Sequence, residues 1–338
     1  MREPVLKPSR VRLERDVADL LRGTTNREPW KTADSLSGSG LERARLDDEP
    51  VVVKYLCVDD DWIMRGTGDL HCRQLALFAS PVLDALPRPI DHAVVAMAPF
   101  ISERGHRGAA LLMRDAGDAM VPAGSDPIPP AMHRRFLDHM AQMHAAYLGF
   151  EDTVGLFPWP HHYVFLTPTM AAIEKSSGGV DPVPQAVDSG WRAMLARHPG
   201  EARTLLALAA DPSPLLELLG VGPQTLLHGD WKLGNLGSGA GGDTILLDWD
   251  RTGQGPVLID FAWYLAVNCD RLPESKEATI GAYRAALEAA GVDTTTWWDA
   301  QLAAALAGAF LQLGWSKTGD PAEFAWWSDR LHEALPLR

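Results

Sequence analysis

The residues best suited to chemistry lie between positions 225 and 250, TLLHGDWKLGNLGSGAGGDTILLDWD. An apolar run, Thr225 to Leu227, delivers His228-Gly229-Asp230, and Asn235 follows on the same loop. After a glycine-rich turn a second apolar run ends in Asp248-Trp249-Asp250. This predicts strand, loop and strand, with acids at both strand exits. Phosphoryl transfer needs a carboxylate that orients or deprotonates an attacking hydroxyl, and oxygen ligands for Mg²⁺ beside nucleotide phosphates. Asp230 suits the first need; Asn235 and Asp248 suit the second.

The ordered set H-G-D-x-x-x-x-N, then an apolar strand ending in Asp, resembles the core of the aminoglycoside phosphotransferase and choline kinase-like family, relatives of the protein kinases. The resemblance implies an α+β, bilobal protein kinase-like fold with a small antiparallel β lobe and a larger helical lobe. It also implies that Asp230 is the catalytic base, that Asn235 and Asp248 bind Mg²⁺, and that His228 is structural. Lys232 stands two residues after Asp230, where protein kinases carry a lysine that reaches the transferring phosphate. The alternative is a solvated loop lysine. Trp231 reads as a packing residue of the loop.

Upstream elements must bring a nucleotide to these groups. Val11 to Leu21 has helical spacing, and strands are expected at Leu41–Leu46 and Val51–Tyr55. The turn before them carries Ser37, Gly38 and Ser39, small residues that let backbone N–H groups approach phosphates. Lys54 ends a V-V-V-K run similar to the kinase strand whose lysine binds the α and β phosphates. A helix is expected over Asp69 to Leu86, yet it holds no glutamate to pair with Lys54; Asp69 and Gln74 are the substitutes. A strand follows at His92–Met97. The stretch around Met113 and Arg114 resembles the family's hinge, whose backbone would meet a purine, with adenine and guanine both open. The proline-rich Val121 to Pro130 is a linker, so the lobes are expected at 1–115 and 116–338.

The second half reads as helical. Pro130 to Leu148 carries a broad apolar stripe, and the gaps between His133, His139 and His144 do not match metal-ligand spacing. Helices broken at Pro199 and Pro212 fill 185–219, and more are expected at Lys276–Ala290, Trp297–Leu313 and Pro321–Leu335. Gly253 to Ala262 resembles the family's G-x-G-D-P-x-x-D-L-A without its Asp-Pro acid; Asp260 matches the final Asp and is expected to cap a helix starting near Phe261 and to support the catalytic loop. Asp270, Glu274 and Trp326 are candidates for holding the acceptor.

Composition sets limits. The chain of 338 residues has 31 basic and 44 acidic side chains, a net charge of −13. With no basic block, it lacks a nucleic-acid or anionic-membrane footprint. Cys57, Cys72 and Cys269 are scattered and suggest neither disulfides nor zinc. No apolar run approaches the roughly 20 residues of a membrane span, and the charged, proline-bearing start lacks the apolar core of a signal peptide; a cytoplasmic enzyme is expected. The reading is a kinase that moves the γ-phosphoryl group of ATP or GTP, with Mg²⁺, to a hydroxyl of a small polar acceptor such as an amino sugar, aminoglycoside or sugar. Its rivals are a nucleotide-binding protein with little transfer activity and a protein kinase; the latter lacks D-F-G and A-P-E segments. Oligomeric state is left open.

Overall fold

Short apolar runs such as Val51-Val52-Val53 lie before residue 115 and long apolar helical stripes after 130, so strands form first and helices later. In the computed structural model, which describes residues 10–31 and 38–335, the chain divides into two units. One comprises residues up to Ala123 with Thr153–Leu156 and Leu233–Asp250; the other comprises Gly124–Asp152, Phe157–Lys232 and the residues from Arg251 onward.

The first unit runs β1 (Arg12–Leu13), α1 (Val17–Leu20), β2 (Thr24–Trp30), β3 (Gly40–Leu46), β4 (Glu49–Cys57), α2 (Trp62–Gly66), α3 (Arg73–Ala79), β5 (Ile90–Asp91), β6 (Val94–Ile101) and β7 (Arg107–Arg114). Six of these strands form a sheet in the order β1-β6-β7-β4-β3-β2. Every neighbouring pair is antiparallel except β1 with β6. Val51 and Val53 of β4 join Leu20, Ala44, Ala96, Ala98, Ala110 and Leu112 in a buried core. Successive strand residues point to opposite faces, so Lys54 lies on the other face, opposite Leu41 of β3 and Leu111 of β7.

Three local expectations change. The helix expected over Val11–Leu21 is only Val17–Leu20, capped by Asp16, because Arg12–Leu13 extend along the edge of β6 instead. The polar stretch TTNREPW forms strand β2, tolerated with its proline because β2 is an edge strand. The helix expected over Asp69–Leu86 is confined to Arg73–Ala79. There the Asp69 carboxylate binds the Arg73 amide at the start, and Pro81 follows the end.

In the second unit come α4 (Pro130–Ala146), α5 (His162–Phe165), α6 (Pro168–Ser176), α7 (Pro182–Arg197), α8 (Pro199–Ala210), α9 (Ser213–Leu219) and β8 (Gln224–Leu227). The chain then contributes β9 (Leu236–Ser238) and β10 (Thr244–Leu246) to the first unit, where they pair in the order β5-β10-β9. It returns through β11 (Gly253–Pro256), α10 (Leu258–Val267), α11 (Lys276–Ala289), α12 (Trp298–Leu313) and α13 (Pro321–Ala334). Helices α4, α6, α7, α8 and α13 carry proline in the first turn, where the missing N–H leaves no bond unmade. Alanine-rich α12 is buried from Ala304 to Leu313 and packs on α9, α10 and α13. The fold is α+β, with an antiparallel N-terminal sheet and a helical C-terminal part.

Candidate active site

Within the second unit, β8 and β11 pair antiparallel from Gly253 with Leu227 to Pro256 with Gln224. His228-Gly229-Asp230 therefore leaves β8 beside Arg251-Thr252 entering β11. Gly229 has φ +82°, and a side chain there would run into the Arg251 carbonyl, so glycine is required twice over. The turn is fixed from below by Asp260, whose carboxylate accepts the His228 and Gly229 amides, each at 2.7 Å. Its Oδ2 also lies 3.3 Å from His144 Nε2. This corrects the expected cap: α10 begins at Leu258, and Asp260 sits inside its first turn. Burial opposes the Asp260 charge, but His144 and the two amides outweigh it and hold the carboxyl below its usual range.

Asp230 is itself buried. Its Oδ1 accepts from the Trp263 indole N–H at 3.0 Å and lies 3.5 Å from Arg251 Nη1, while Oδ2 lies 2.8 Å from Lys232 Nζ. Desolvation pushes the Asp230 pKa upward, yet Lys232 and Arg251 overcome it and leave the carboxyl well below the usual range. Arg251 is held in turn. Its guanidinium packs over the rings of Trp263 and Phe165, with centroids 4.5 and 5.2 Å away, and Nη2 is 2.8 Å from His162 Nδ1. Burial, then the Arg251 charge, lowers the His162 pKa well below normal, so a neutral ring accepts that hydrogen bond. Trp231 is fully buried and its indole N–H has no hydrogen-bond partner among the described residues, as a packing residue would place it.

The first unit holds the other expected groups. Leu246 pairs with Leu236, and the Leu247 amide donates to the Asn235 carbonyl at 2.9 Å. That bond brings Asn235 and Asp248 to the same end of the β9-β10 hairpin. Asp248 adopts φ +62°, an uncommon conformation for a residue with a side chain. Lys54 Nζ lies 2.5 Å from Asp248 Oδ1. Burial disfavours the Lys54 ammonium, but Asp248, Asp250 and Asp61 reverse this and raise its pKa. Asp61 caps α2 and accepts the Ser39 hydroxyl at 2.6 Å.

The remaining candidates are placed as follows. Ser37 lies outside the described residues. Gly38 has φ +84°, and Ser39 is the partner of Asp61. Met113 and Arg114 end β7; the Arg114 amide donates to the Ala93 carbonyl at 2.9 Å and its guanidinium pairs with Asp91, so both are engaged within the sheet. Asp69 binds the amides of His71 and Arg73, and Gln74 is buried with Nε2 unpartnered among the described residues; the acids nearest in charge to Lys54 lie elsewhere. Glu274 pairs with Arg134. The Trp326 N–H donates to Glu277 at 2.6 Å, and Lys276 and Arg330 lie 5.0 and 5.2 Å from its ring. Asp270 lies next to Cys269, whose thiol donates to it at 3.4 Å.

Arg251 was not singled out as a site residue by sequence, because a lone arginine after D-W-D obeys no spacing rule; His162 belongs to the aromatic-rich Pro158–Tyr163 stretch, which by sequence alone reads as a substrate wall or a structural loop, and it supports Arg251. Trp263 carried a signal, since it lies three residues after Asp260 and thus on the same helix face. For a metal, the donor set at the hairpin is the amide oxygen of Asn235 and the carboxylate of Asp248. Among the described residues no group of three His, Cys, Asp or Glu side chains could form a closed metal cage. Hard oxygen donors in small number fit Mg²⁺, which usually shares its coordination with phosphates and water.

Comparison with known proteins places this geometry. The profile of the phosphotransferase enzyme family matches residues 85–297, more than half of the chain. No curated protein sequence matches. Among solved structures, choline kinase LicA from Streptococcus pneumoniae superposes with a TM-score of 0.52 at 12% identity, over 93% of this chain and 95% of that one. A microcompartment-associated aminopropanol kinase gives 0.49 at 13% identity, over 91% and 90%. A putative aminoglycoside phosphotransferase from Ralstonia eutropha gives 0.43 at 16% identity, over 92% and 89%. The first of these likenesses supports a shared fold, and the profile identifies a phosphotransferase. The chain belongs to the phosphotransferase enzyme family.

Proposed function

We propose that this enzyme moves the γ-phosphoryl group of ATP or GTP to a hydroxyl of a small polar acceptor, an amino sugar, aminoglycoside or sugar. The observation that carries the reading is Asp230, a buried carboxylate kept ionised by Lys232 and Arg251 and oriented by Trp263. In a largely dissociative transfer, orientation of the nucleophile matters more than strong basicity. Asp230 accepts the hydroxyl hydrogen bond and points the oxygen at phosphorus. The new O–P bond forms as the bond to the β–γ bridging oxygen breaks, and the hydroxyl proton leaves through Asp230. Lys232 stabilises charge on the moving group, and Lys54 holds the nucleotide phosphates. Asn235 and Asp248 would hold Mg²⁺, which supplies neutralisation of phosphate charge. The net charge of −13 favours an amine-bearing acceptor.

Among the described residues no helix is long and apolar enough to cross a membrane. Cys57, Cys72 and Cys269 are free thiols, which supports action in the reducing cytoplasm. A second reading, nucleotide binding with little transfer, is favoured by the engagement of Asp69 with the amides of His71 and Arg73 and by the lack of charge on Gln74. A coupled nucleotide-turnover screen over amino sugars, neutral sugars, aminoglycosides and amino alcohols separates the two. Acceptor-dependent turnover supports the kinase; nucleotide binding with no turnover on any of them supports the rival.

A further inference from the structure

The lysine on β4 lacks the glutamate that its position calls for. The helix after it offers Asp69, which is occupied with the amides of His71 and Arg73, and Gln74, which carries no charge. A different acid stands in this region. Asp61 follows β4 by four residues, and its amide donates to the Cys57 carbonyl at 2.9 Å, which ties it to the strand end. It is 1% exposed. Its Oδ1 accepts the Ile63 and Met64 amides at 2.8 and 3.1 Å, and its Oδ2 accepts the Ser39 hydroxyl at 2.6 Å.

The sheet register explains why this matters for Lys54. Lys54 is opposite Leu41 and Tyr55 is opposite Gly40. Residues two apart share a face, so Ser39, two before Leu41, lies on the same face of the sheet as Lys54. The hydrogen bond to Ser39 therefore draws the Asp61 carboxylate to the Lys54 face. A helix cap alone needs no such burial, since caps normally keep water as a partner. A carboxylate this deep is costly unless a charge and hydrogen bonds meet it. The electrostatic influence is mutual: Asp61 favours the Lys54 ammonium, and although burial raises the Asp61 pKa above its ordinary value, the Ser39 hydroxyl, Lys54 and the two amides oppose that shift.

We propose that Asp61 is the positioning residue for Lys54, supplying the buried negative charge that a glutamate on α3 would supply, and that its bond to Ser39 ties the start of β3 to that lysine. The inference rests on the reading of Lys54 as a nucleotide ligand. When phosphates arrive and draw the lysine from Asp248, Asp61 keeps a counter-charge behind it.

Asp61→Asn is the direct test, because asparagine caps helices as well as aspartate and still accepts from Ser39, but has no charge. The expected result is a nucleotide KM raised at least about fivefold, within the range of neighbour coupling, with kcat within about twofold of wild type. An unchanged KM in the folded variant would leave Asp61 as a cap only and overturn the proposal. A double-mutant cycle with Lys54→Met guards against a folding defect. Lys54→Met should lower the melting temperature by leaving Asp61 uncompensated, and adding Asp61→Asn should restore part of it. Equal losses from Asp61→Asn in both backgrounds, an aggregated variant included, overturn the proposal. If Lys54→Met leaves nucleotide Kd unchanged, the Lys54 reading itself falls. If it weakens binding while Asp61→Asn does not, only the Asp61 proposal falls.

Discussion

Trp263 donates its indole N–H to Oδ1 of Asp230 at 3.0 Å, while Lys232 Nζ lies 2.8 Å from Oδ2. The two carboxylate oxygens thus have different partners, and the plane of the carboxylate is set by an uncharged donor on α10. Trp263→Phe removes the donor but keeps a ring against the Arg251 guanidinium. One hydrogen bond to a charged group is worth about 1.5–3 kcal/mol. A kcat lowered roughly tenfold or more is therefore expected, with nucleotide Kd unchanged. Steady-state kinetics with a calorimetric nucleotide titration checks both, and an unaltered kcat would remove Trp263 from the orienting apparatus.

A pH-dependent component of stability resides in α4. His133 is buried, with Nδ1 2.8 Å from the Tyr264 hydroxyl and Nε2 3.3 Å from the Thr279 hydroxyl, and burial lowers its pKa to about 4. Unfolded histidine titrates near about 6.5. The folded-state value is depressed, so this contribution is fully present above about pH 6.5 and is lost as pH falls toward about 4, when the unfolded chain binds the proton first. The slope from one such group reaches at most about 1.4 kcal/mol per pH unit. Denaturant midpoints measured between pH 7 and pH 5 should decline in wild type and decline less in His133→Gln. Parallel declines would place the effect on other groups.

What sequence made legible was whatever short-range pattern controls. The H-G-D-x-x-x-x-N spacing located the loop because chain geometry over eight residues leaves few arrangements, and the proline-led helices announced their own first turns. Asp260 was legible as a support of the catalytic loop, and it accepts the amides of His228 and Gly229; its reading as a helix cap failed, because a carboxylate near a helix start can bind another segment instead of its own helix. The environment of Asp230 was hidden for a different reason. Arg251, His162 and Phe165 approach it from segments up to 89 residues apart, and no local periodicity reports a contact of that kind. Trp326 was legible as an aromatic candidate for an acceptor surface, but its contacts with Glu277, Lys276 and Arg330 join separate segments and leave no local pattern.

Lys232 has two assignable roles that kinetics can separate. Its ammonium neutralises Asp230 in the present arrangement, yet about a third of its side chain is exposed, at 30%, so it can turn toward an incoming phosphate. Interactions stronger in the transition state than in the ground state change kcat, whereas uniform binding changes KM. Lys232→Ala is expected to lower kcat with little change in nucleotide KM. Small and equal effects on both constants would return Lys232 to a solvated loop side chain.

The hairpin pair Asn235 and Asp248 is expected to make metal and nucleotide binding interdependent. Ligands that bind only the folded state stabilise it, by about 2.7 kcal/mol at a hundredfold excess over Kd. Mg²⁺ with ATP should therefore raise the melting temperature more than the sum of either alone. Asp248→Asn should abolish that synergy, and it also frees Lys54 from its 2.5 Å ion pair, so nucleotide alone should still stabilise the variant. Retained synergy in a thermal-shift assay would show that Asp248 does not hold the metal.

The role of Asp230 itself is tested by separating its charge from its shape. Asp230→Asn keeps the volume and can still accept from Trp263, but its neutral amide no longer balances Arg251 and Lys232. Orientation and proton acceptance by a positioned group contribute about 10²–10⁴-fold, so kcat should drop at least about a hundredfold while Mg²⁺ and nucleotide bind nearly as in wild type. The pKa direction adds a second readout. Because Lys232 and Arg251 hold the carboxyl well below its normal range, Asp230 stays ionised throughout neutral and mildly acid pH, and no acid limb of kcat near pH 5 should trace to it. Its share of folding stability is present above the unfolded value of about 3.9 and is lost only as pH falls below that. A wild-type profile of kcat that is flat from pH 5 to 7, together with a variant that binds nucleotide but does not turn over, is the expected pair of results. Near-normal turnover by Asp230→Asn would exclude the carboxylate from the reaction. An acid limb of kcat near pH 5 that the variant's residual activity lacks would show that Asp230 titrates in the working range and acts as a conventional base.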